Sequence, residues 1–501
     1  MSLRMIPSSK PLKPVILALS FVLWFTTVGL AQLSGETNDK KKNANYPHTS
    51  SAGKVYDSYG DLLNDDTAYN KKSPWYVPAA RVILQNGFTW AIDRYVFNYD
   101  FSHIGPQTWK TNLKKGWEWD NDRFGINFIG HPYSGSSYFN IARSNGYSYW
   151  QSLPFAVEGS LMWEYFGENT RPSYNDIINT PVSGIFLGEV LYRLSSNILD
   201  DRTRGGQRFL RELAAGILDP TRAINRLSQG KMFRVTNKEV YQKEPLNITL
   251  YAGLHKVNED KKFLSGPTNE ILNLQLDYGD PFEQRQRKPF DLFRLRFELS
   301  YGVGRKILDN VTGYGILFGK NIRSGENGFL IGGFQHYDYW DNKLFELGTL
   351  AFGAGLISRT PIRTNSNLYT AFHLALVPLA GNSTRFGPDS SQYRDYNFGG
   401  GVEGKLESTL NISNWSSVGV TGYAYLIHTY VGNPGNSIIG ILKPRVTVKL
   451  LKNFSLGLEQ HYYVNNRYIN HLPTAHVTNT EQKIFLQWFL EDKRRRDSKY
   501  H

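Results

Sequence analysis

Hydrophobic and polar positions along this chain follow two different periods. In NITLYAGLHKV, Ile248, Leu250, Ala252 and Leu254 alternate with Asn247, Thr249, Tyr251 and His255. In DLFRLRFELSYGVG, Phe293, Leu295, Phe297, Leu299 and Tyr301 alternate with Arg294, Arg296, Glu298 and Ser300. A period of two sends the two sets to opposite faces of a strand, one apolar and one charged. The alternation recurs as far as EQKIFLQWFLE and gives twelve predicted strands between residues 240 and 491. Many reach about ten residues, the length a tilted strand needs to cross a bilayer and more than soluble strands usually have.

The late connections have a rhythm of their own. LAGNSTRFGPDSSQYRD is long, NISNW short, VGNPGNS intermediate, LKN very short and NRYINHLPTAHVTNTE long. Bacterial outer-membrane barrels place long loops outside and tight turns in the periplasm, so the rhythm predicts periplasmic termini. Two positions depart from it. The link from Trp340 to Lys343 is short where a long loop is expected, which points to a miscounted strand before it. Pro444 sits inside a run and cannot donate to a ladder, so a bulge or strand end is expected there. The expected fold is mainly β, a C-terminal antiparallel transmembrane β-barrel of about twelve strands preceded by an N-terminal helical module. A large soluble β-sandwich is the structural alternative, disfavoured by the strand lengths.

Between residues 76 and 235 the period changes to three and four. SLPFAVEGSLMWEYFGEN and PVSGIFLGEVLYRLSSNIL read as helices, the second with Pro181 in its first turn and Asn179 or Thr180 as its cap. GGQRFLRELAAGIL and DPTRAINRLSQG give two shorter helices, the latter opened by Asp219 and Pro220 and closed by Gly230. Gly184 and Gly188 are four apart, a spacing that permits close approach of another helix. Residues 32–75 are polar and form a flexible leader, and residues 492–501 are a basic tail.

The N-terminus decides the compartment. Arg4, Lys10 and Lys13 precede the apolar run PVILALSFVLWFTTVGLA, and Gly29 and Ala31 precede a plausible cut before Gln32, so residues 1–31 read as a signal peptide. The expected location is the outer membrane of a Gram-negative bacterium. Mean hydropathy of -0.42 is too polar for a bundle of membrane helices. Aromatic residues reach 14%, which suits strands and interfacial girdles. With no cysteine there are no disulfides and no thiolate metal sites. Removing Arg4, Lys10 and Lys13 takes the net charge from +13 to +10. In an exported chain without a nucleic-acid motif, that excess favours anionic outer-membrane lipid over nucleic acid. The other expected partner is the barrel assembly machinery.

Chemistry-bearing residues concentrate between Trp117 and Glu189. Four pieces, INFIGHPYSGSSYF, ARSNG, WEYFGE and PSYNDIINTPVSGIFLGE, resemble an uncharacterised bacterial outer-membrane family, domain of unknown function 3943. The resemblance implies an exported protein associated with the outer membrane and brings no reaction with it. His131 lies close to Ser134, Ser136 and Ser137, and a serine nucleophile needs such a base. The context is SGSS rather than GxSxG, so a Gly/Ser turn capping a short helix from Tyr138 to Ser144 is the favoured reading. Glu158, Glu164, Asp176 and Glu189 interrupt apolar helices and demand partners; Arg143 and Arg193 are the expected ones, in a structural polar network. Asp176 is also placed to act as an N-terminal helix charge. No spacing calls for a metal or a cofactor.

The leading expectation is an outer-membrane barrel whose helical module plugs the lumen or packs at its periplasmic mouth, serving binding, passage or envelope organisation. The alternative is an outer-membrane, lipid-acting hydrolase or acyltransferase with His131 as base, one of Ser134, Ser136 or Ser137 as nucleophile, and Glu164 or Glu158 orienting.

Overall fold

A computed structural model describes residues 71–237, 239–258, 262–302, 307–342, 344–384 and 395–492. The predicted signal peptide, nearly all of the leader and all but the first residue of the basic tail lie outside the described residues. All twelve alternating runs form strands: β1 Leu246–Val257, β2 Thr268–Tyr278, β3 Phe293–Tyr301, β4 Leu308–Arg323, β5 Phe329–Asp341, β6 Glu346–Arg363, β7 Ser366–Ser383, β8 Tyr396–Ile412, β9 Ser416–Val431, β10 Gly435–Leu451, β11 Phe454–Ile469 and β12 Ala475–Leu490. Each pairs antiparallel with its sequence neighbours, and β1 pairs with β12 to close the barrel.

The two predicted irregularities resolve differently. Among the described residues no uncounted strand precedes the short link. β5 passes into β6 through residues 342–345, where the Asn342 side chain accepts the backbone N–H groups of Leu344 and Phe345 at 2.8 and 3.0 Å. Pro444 neither ends nor begins a strand. It pairs with Val420 of β9, while pairing with β11 steps from Leu442 and Tyr462 to Arg445 and Glu459, so the missing donor falls on one edge only. Strands also extend into predicted loops: the long late loop shrinks to residues 470–474 because β11 and β12 continue their ladder there.

The charged face points inward. Arg294 and Arg296 of β3 reach Glu407 of β8, with Arg296 Nη1 at 2.8 Å from Glu407 Oε1. Arg445 of β10 donates to the Tyr251 hydroxyl of β1 at 3.0 Å, and Lys405 of β8 lies 2.7 Å from Asp338 of β5. These strands are not neighbours, so the contacts cross the lumen. The apolar set therefore faces out, and Leu374, Leu442, Leu458 and Leu486 are exposed.

Among the described residues seven α-helices precede the barrel: α1 Tyr76–Ile92, α2 Pro106–Lys115, α3 His131–Ser144, α4 Tyr149–Met162, α5 Tyr174–Ile198, α6 Gly205–Leu218 and α7 Pro220–Ser228. They lie against the outer wall of the barrel rather than in its lumen or at its mouth, which corrects the expectation of a plug or cap. The lumen is already occupied by its own arginines, tyrosines and carboxylates. The wall, by contrast, offers outward glycines that leave room for rings. Phe186 of α5 fills the space over Gly313, and Phe128 covers Gly348 and Gly381; a Cβ at Gly348 would stand 2.2 Å from the Phe128 ring. Gln335 of β5 completes the seat, accepting from the Tyr149 hydroxyl at 2.9 Å and donating to the Val182 carbonyl at 2.8 Å.

The module is held together by a tight crossing of α3 and α5. A Cβ at Gly135 would fall 1.8 Å from the Thr180 carbonyl oxygen, and one at Gly184 would fall 2.5 Å from the Gly135 carbonyl carbon. Helix α5 starts seven residues earlier than predicted. Ser173 caps it by accepting from the Asp176 N–H, so Pro181 lies inside the helix and not in its first turn. Helix α3 continues directly from a π-helical turn, Ile126–Gly130, and the Phe128 carbonyl that Pro132 cannot satisfy accepts from the Tyr337 hydroxyl of β5. The serines of SGSS are therefore helical rather than a capping turn.

An exposed Gly→Ala change in a helix gains about 1 kcal/mol from propensity. At Gly184 the backbone collision reverses the sign. Gly184→Ala is expected to destabilise the module by about 3 kcal/mol, detected as faster proteolysis of residues 76–235 while the barrel stays heat-modifiable on gels.

Candidate functional site

Helix α5 carries a polar cluster at each of two levels. The first surrounds His131 and Asp176 near the start of β8. His131 Nδ1 lies 3.0 Å from Thr180 Oγ1, and its Nε2 lies 3.3 Å from Asp176 Oδ1. Burial pushes His131 down to about 4, with Asp120 offsetting only part of the effect, so the ring is neutral and the contact to Asp176 is a hydrogen bond rather than an ion pair. Asn175 Nδ2 donates to Asp120 at 2.9 Å and to Asp176 at 2.9 Å. Asn127 donates to Asp120 at 3.0 Å and also meets the Tyr396 hydroxyl of β8, tying the cluster to the barrel.

Asp120 and Asp176 divide one proton between them. Burial and then the charge of Asp120 raise Asp176 well above the carboxylate range. Burial opposes ionisation of Asp120 too, but hydrogen bonds from Asp176 and Asn127 hold it below its usual value. Glu164 accepts the Ser173 N–H at 2.7 Å, yet burial and the nearby Glu168 raise it well above the carboxylate range. Burial lifts Glu168 to about 8. This end of the module is an acid-rich cluster in which burial favours the protonated forms of Asp176, Glu164 and Glu168.

The predicted nucleophile and base are not joined. The Ser136 and Ser137 hydroxyls donate to the Tyr133 carbonyl at 2.7 and 3.3 Å, and both His131 nitrogens are engaged by Thr180 and Asp176. Among the described residues no hydrogen bond links His131 to Ser134, Ser136 or Ser137. Ser160 donates to the Asp176 carbonyl at 3.3 Å, while Glu158 faces a shallow outer groove of about 440 Å³ with Val157, Leu161 and Phe166. Among the described residues no group of three or more His, Asp or Glu is placed to hold a metal ion.

The second cluster centres on Glu189, which is fully buried. Arg143 binds it in a fork, Nε at 2.6 Å and Nη2 at 3.0 Å, and Arg193 donates at 2.8 Å from one turn further along α5. Arg193 also reaches Asp291 at 3.3 Å and the Pro289 carbonyl at 2.8 Å, both in the segment between β2 and β3. The network expected from sequence thus divides: Arg143, Glu189 and Arg193 meet, whereas Asp176 belongs to the first cluster. Sequence reasoning missed Asp120, Asn127 and Asp291. A usable signal was present in Asn175 and Asn179, two amides on one face of an otherwise apolar helix, which ask for partners.

The outer surface of the module has the opposite polarity from that of a water-soluble protein. On α6 and α7, Phe209, Leu210, Leu213, Ile217, Ile224 and Leu227 are exposed, Leu210 at 63%. Arg208, Glu212, Arg222 and Arg226 of the same helices are buried, Arg226 at 5%. Arg208 and Arg226 close on Asp201, their Nη2 atoms at 3.0 and 3.1 Å, and on Glu212, while Arg222 donates to the Ser196 hydroxyl at 2.8 Å. Helix α1 follows suit: Ile83, Leu84 and Phe88 face out, and Asn86 turns in to donate to the Gly159 carbonyl at 3.0 Å.

Comparison with solved structures finds barrels of the outer membrane. An outer membrane channel from Pseudomonas putida F1 shares 7% identity over 49% of this chain and 95% of its own, with a TM-score of 0.27. OmpT, an outer membrane protein of Vibrio cholerae, shares 9% over 49% of this chain and 96% of its own, with a TM-score of 0.23. Omp33 of Acinetobacter baumannii shares 8% over 49% and 99%, with a TM-score of 0.20. Comparison with curated proteins gives no match. Residues 116–221, which hold both polar clusters of α5, match the family described as Domain of unknown function (DUF3943), the family that the motifs of this segment resemble.

Proposed function

We propose that this is an outer-membrane protein whose barrel is a closed anchor and whose helical module, docked on the lipid side of the wall, carries a binding or envelope-organising role. The observation that supports it is the inverted polarity of α6 and α7, with Leu210 exposed and Arg226 buried. In water such a hairpin would bury its charges at a cost of several kcal/mol and expose apolar surface as well. Beside lipid both choices become favourable. The outward leucines of β7, β10, β11 and β12 continue the same apolar surface around the barrel. Passage through the lumen is the weaker role, because the Arg294, Arg296 and Glu407 cluster and the Lys405 and Asp338 pair cross it. No helix among the described residues is long and apolar enough to cross a membrane alone, so the helices rely on the barrel wall.

The protonated pocket near β8 makes the docking of the module pH-dependent. A carboxyl whose folded pKa is raised stabilises fully below its unfolded value, near 4, and loses that contribution as pH rises through the folded value. For Glu168 that point is about 8. His131 acts in the other direction: its neutral form is favoured above about 6.5, and that contribution is lost as pH falls towards 4.

Two outcomes are expected. The protein fractionates with the outer membrane and is heat-modifiable, and Leu213→Asp costs about 3 kcal/mol, read as loss of the folded band; in water the same exposed substitution would be within about 0.5 kcal/mol of neutral, and that result, or recovery in the soluble fraction, rejects the proposal. Raising the pH from 6 to 9 speeds proteolysis of the helical module about tenfold, and Glu168→Gln flattens that pH profile.

A further inference from the structure

On the outer wall of the barrel, β4 to β7 form a groove of about 790 Å³ with a cationic end. Phe318 lies across the outward-facing Gly333, where a Cβ would stand 2.4 Å from its ring. A register shift between Ile316 and Phe318 bends β4 at this point. Phe318, Ile331, Leu356, Phe372 and Leu374 supply apolar walls.

The other end is unlike the rest of the wall. Arg287 and Lys320 line it together with Gln286. Arg287 is 4% exposed. Its Nη2 donates to the Asp280 and Glu283 carbonyls at 2.9 and 2.8 Å and to Asn321 Oδ1 at 3.1 Å, which fixes the guanidinium in place. Its Nε and Nη1 are buried without a hydrogen-bond partner. A guanidinium with two orphaned donors is costly unless an anion completes it, and a planar fork of N–H groups suits the oxygens of a phosphate. Burial and the neighbouring Arg285 lower Arg287 to about 10, against the opposing pull of Glu283, Asp291 and Asp280.

We infer that this groove is a binding site for a phosphate-bearing lipid, with one acyl chain lying along Phe318, Ile331 and Leu374 and the phosphate held by Arg287 and Lys320. The inference rests on the membrane reading of the barrel, since only there is the groove presented to acyl chains. It adds a specific ligand class on a face the helical module does not use.

The test is native mass spectrometry of the full chain, extracted in a mild non-ionic detergent and supplied with phosphatidylglycerol, with a neutral diacylglycerol, or with inorganic phosphate alone. One phosphatidylglycerol is expected to remain bound, with at least about tenfold weaker retention in Arg287→Gln, in Lys320→Gln and in Ala354→Trp, which fills the groove without touching the cations. Phosphate alone should neither bind nor displace the lipid. Equal retention of the diacylglycerol, protection by phosphate alone, or unchanged retention in the variants overturns the inference. Heat-modifiability and outer-membrane fractionation of each variant are read in parallel, so failure of the membrane reading shows there and is separable from failure of the site.

Discussion

The interaction on which the remaining architecture depends is the charged contact across the lumen. Once Arg294 and Arg296 of β3 meet Glu407 of β8, the period of two leaves no freedom: every alternate residue of β3 must face outward. That single choice puts Phe293, Leu295 and Phe297 on the outer wall, where Phe293 and Leu295 become part of the packed core shared with the helices. A one-residue slip would send three charges to the apolar side and three apolar side chains into the lumen. Filling the lumen with the chain's own side chains also explains why the helices had to find a seat elsewhere.

That seat is built from small residues on both partners. Gly313, Gly348 and Gly381 on the wall receive Phe186 and Phe128, while Gly135 and Gly184 let α3 and α5 touch backbone to backbone. That close approach brings Arg143 and Arg193 from two helices onto one carboxylate, Glu189, where removing that carboxylate would leave two buried cations.

Much of the fold was legible because a period of two survives any register: all twelve strands were visible in sequence. Their ends were not, since β11 and β12 keep pairing through residues whose polarity reads as loop. The side on which the helices dock was also hidden. Periodicity says that a strand has an apolar face but does not say whether lipid or protein covers it, and a glycine seat such as Gly348 is indistinguishable in sequence from a bend. At the site, Glu189 and its arginines were legible as buried charges needing opposite charges. Asp120 was not, because it lies far in sequence from Asp176 and in a segment without helical period, and only the crossing of α3 and α5 brings Asn127 between them.

The inverted polarity of α6 and α7 also bears on the order of events during biogenesis. These two helices stand directly ahead of β1 in the chain, and β1 is one side of the seam that closes the barrel against β12. Leu246 and Ile248 of β1 share a core with Ala214 and Leu218 of α6. On the proposed membrane reading, the hairpin has no wall beside it before the seam closes, and its leucines meet water until then. On that reading, delivery of the first strand and covering of the hairpin are one event, so a delay in strand insertion leaves an aggregation-prone surface exposed.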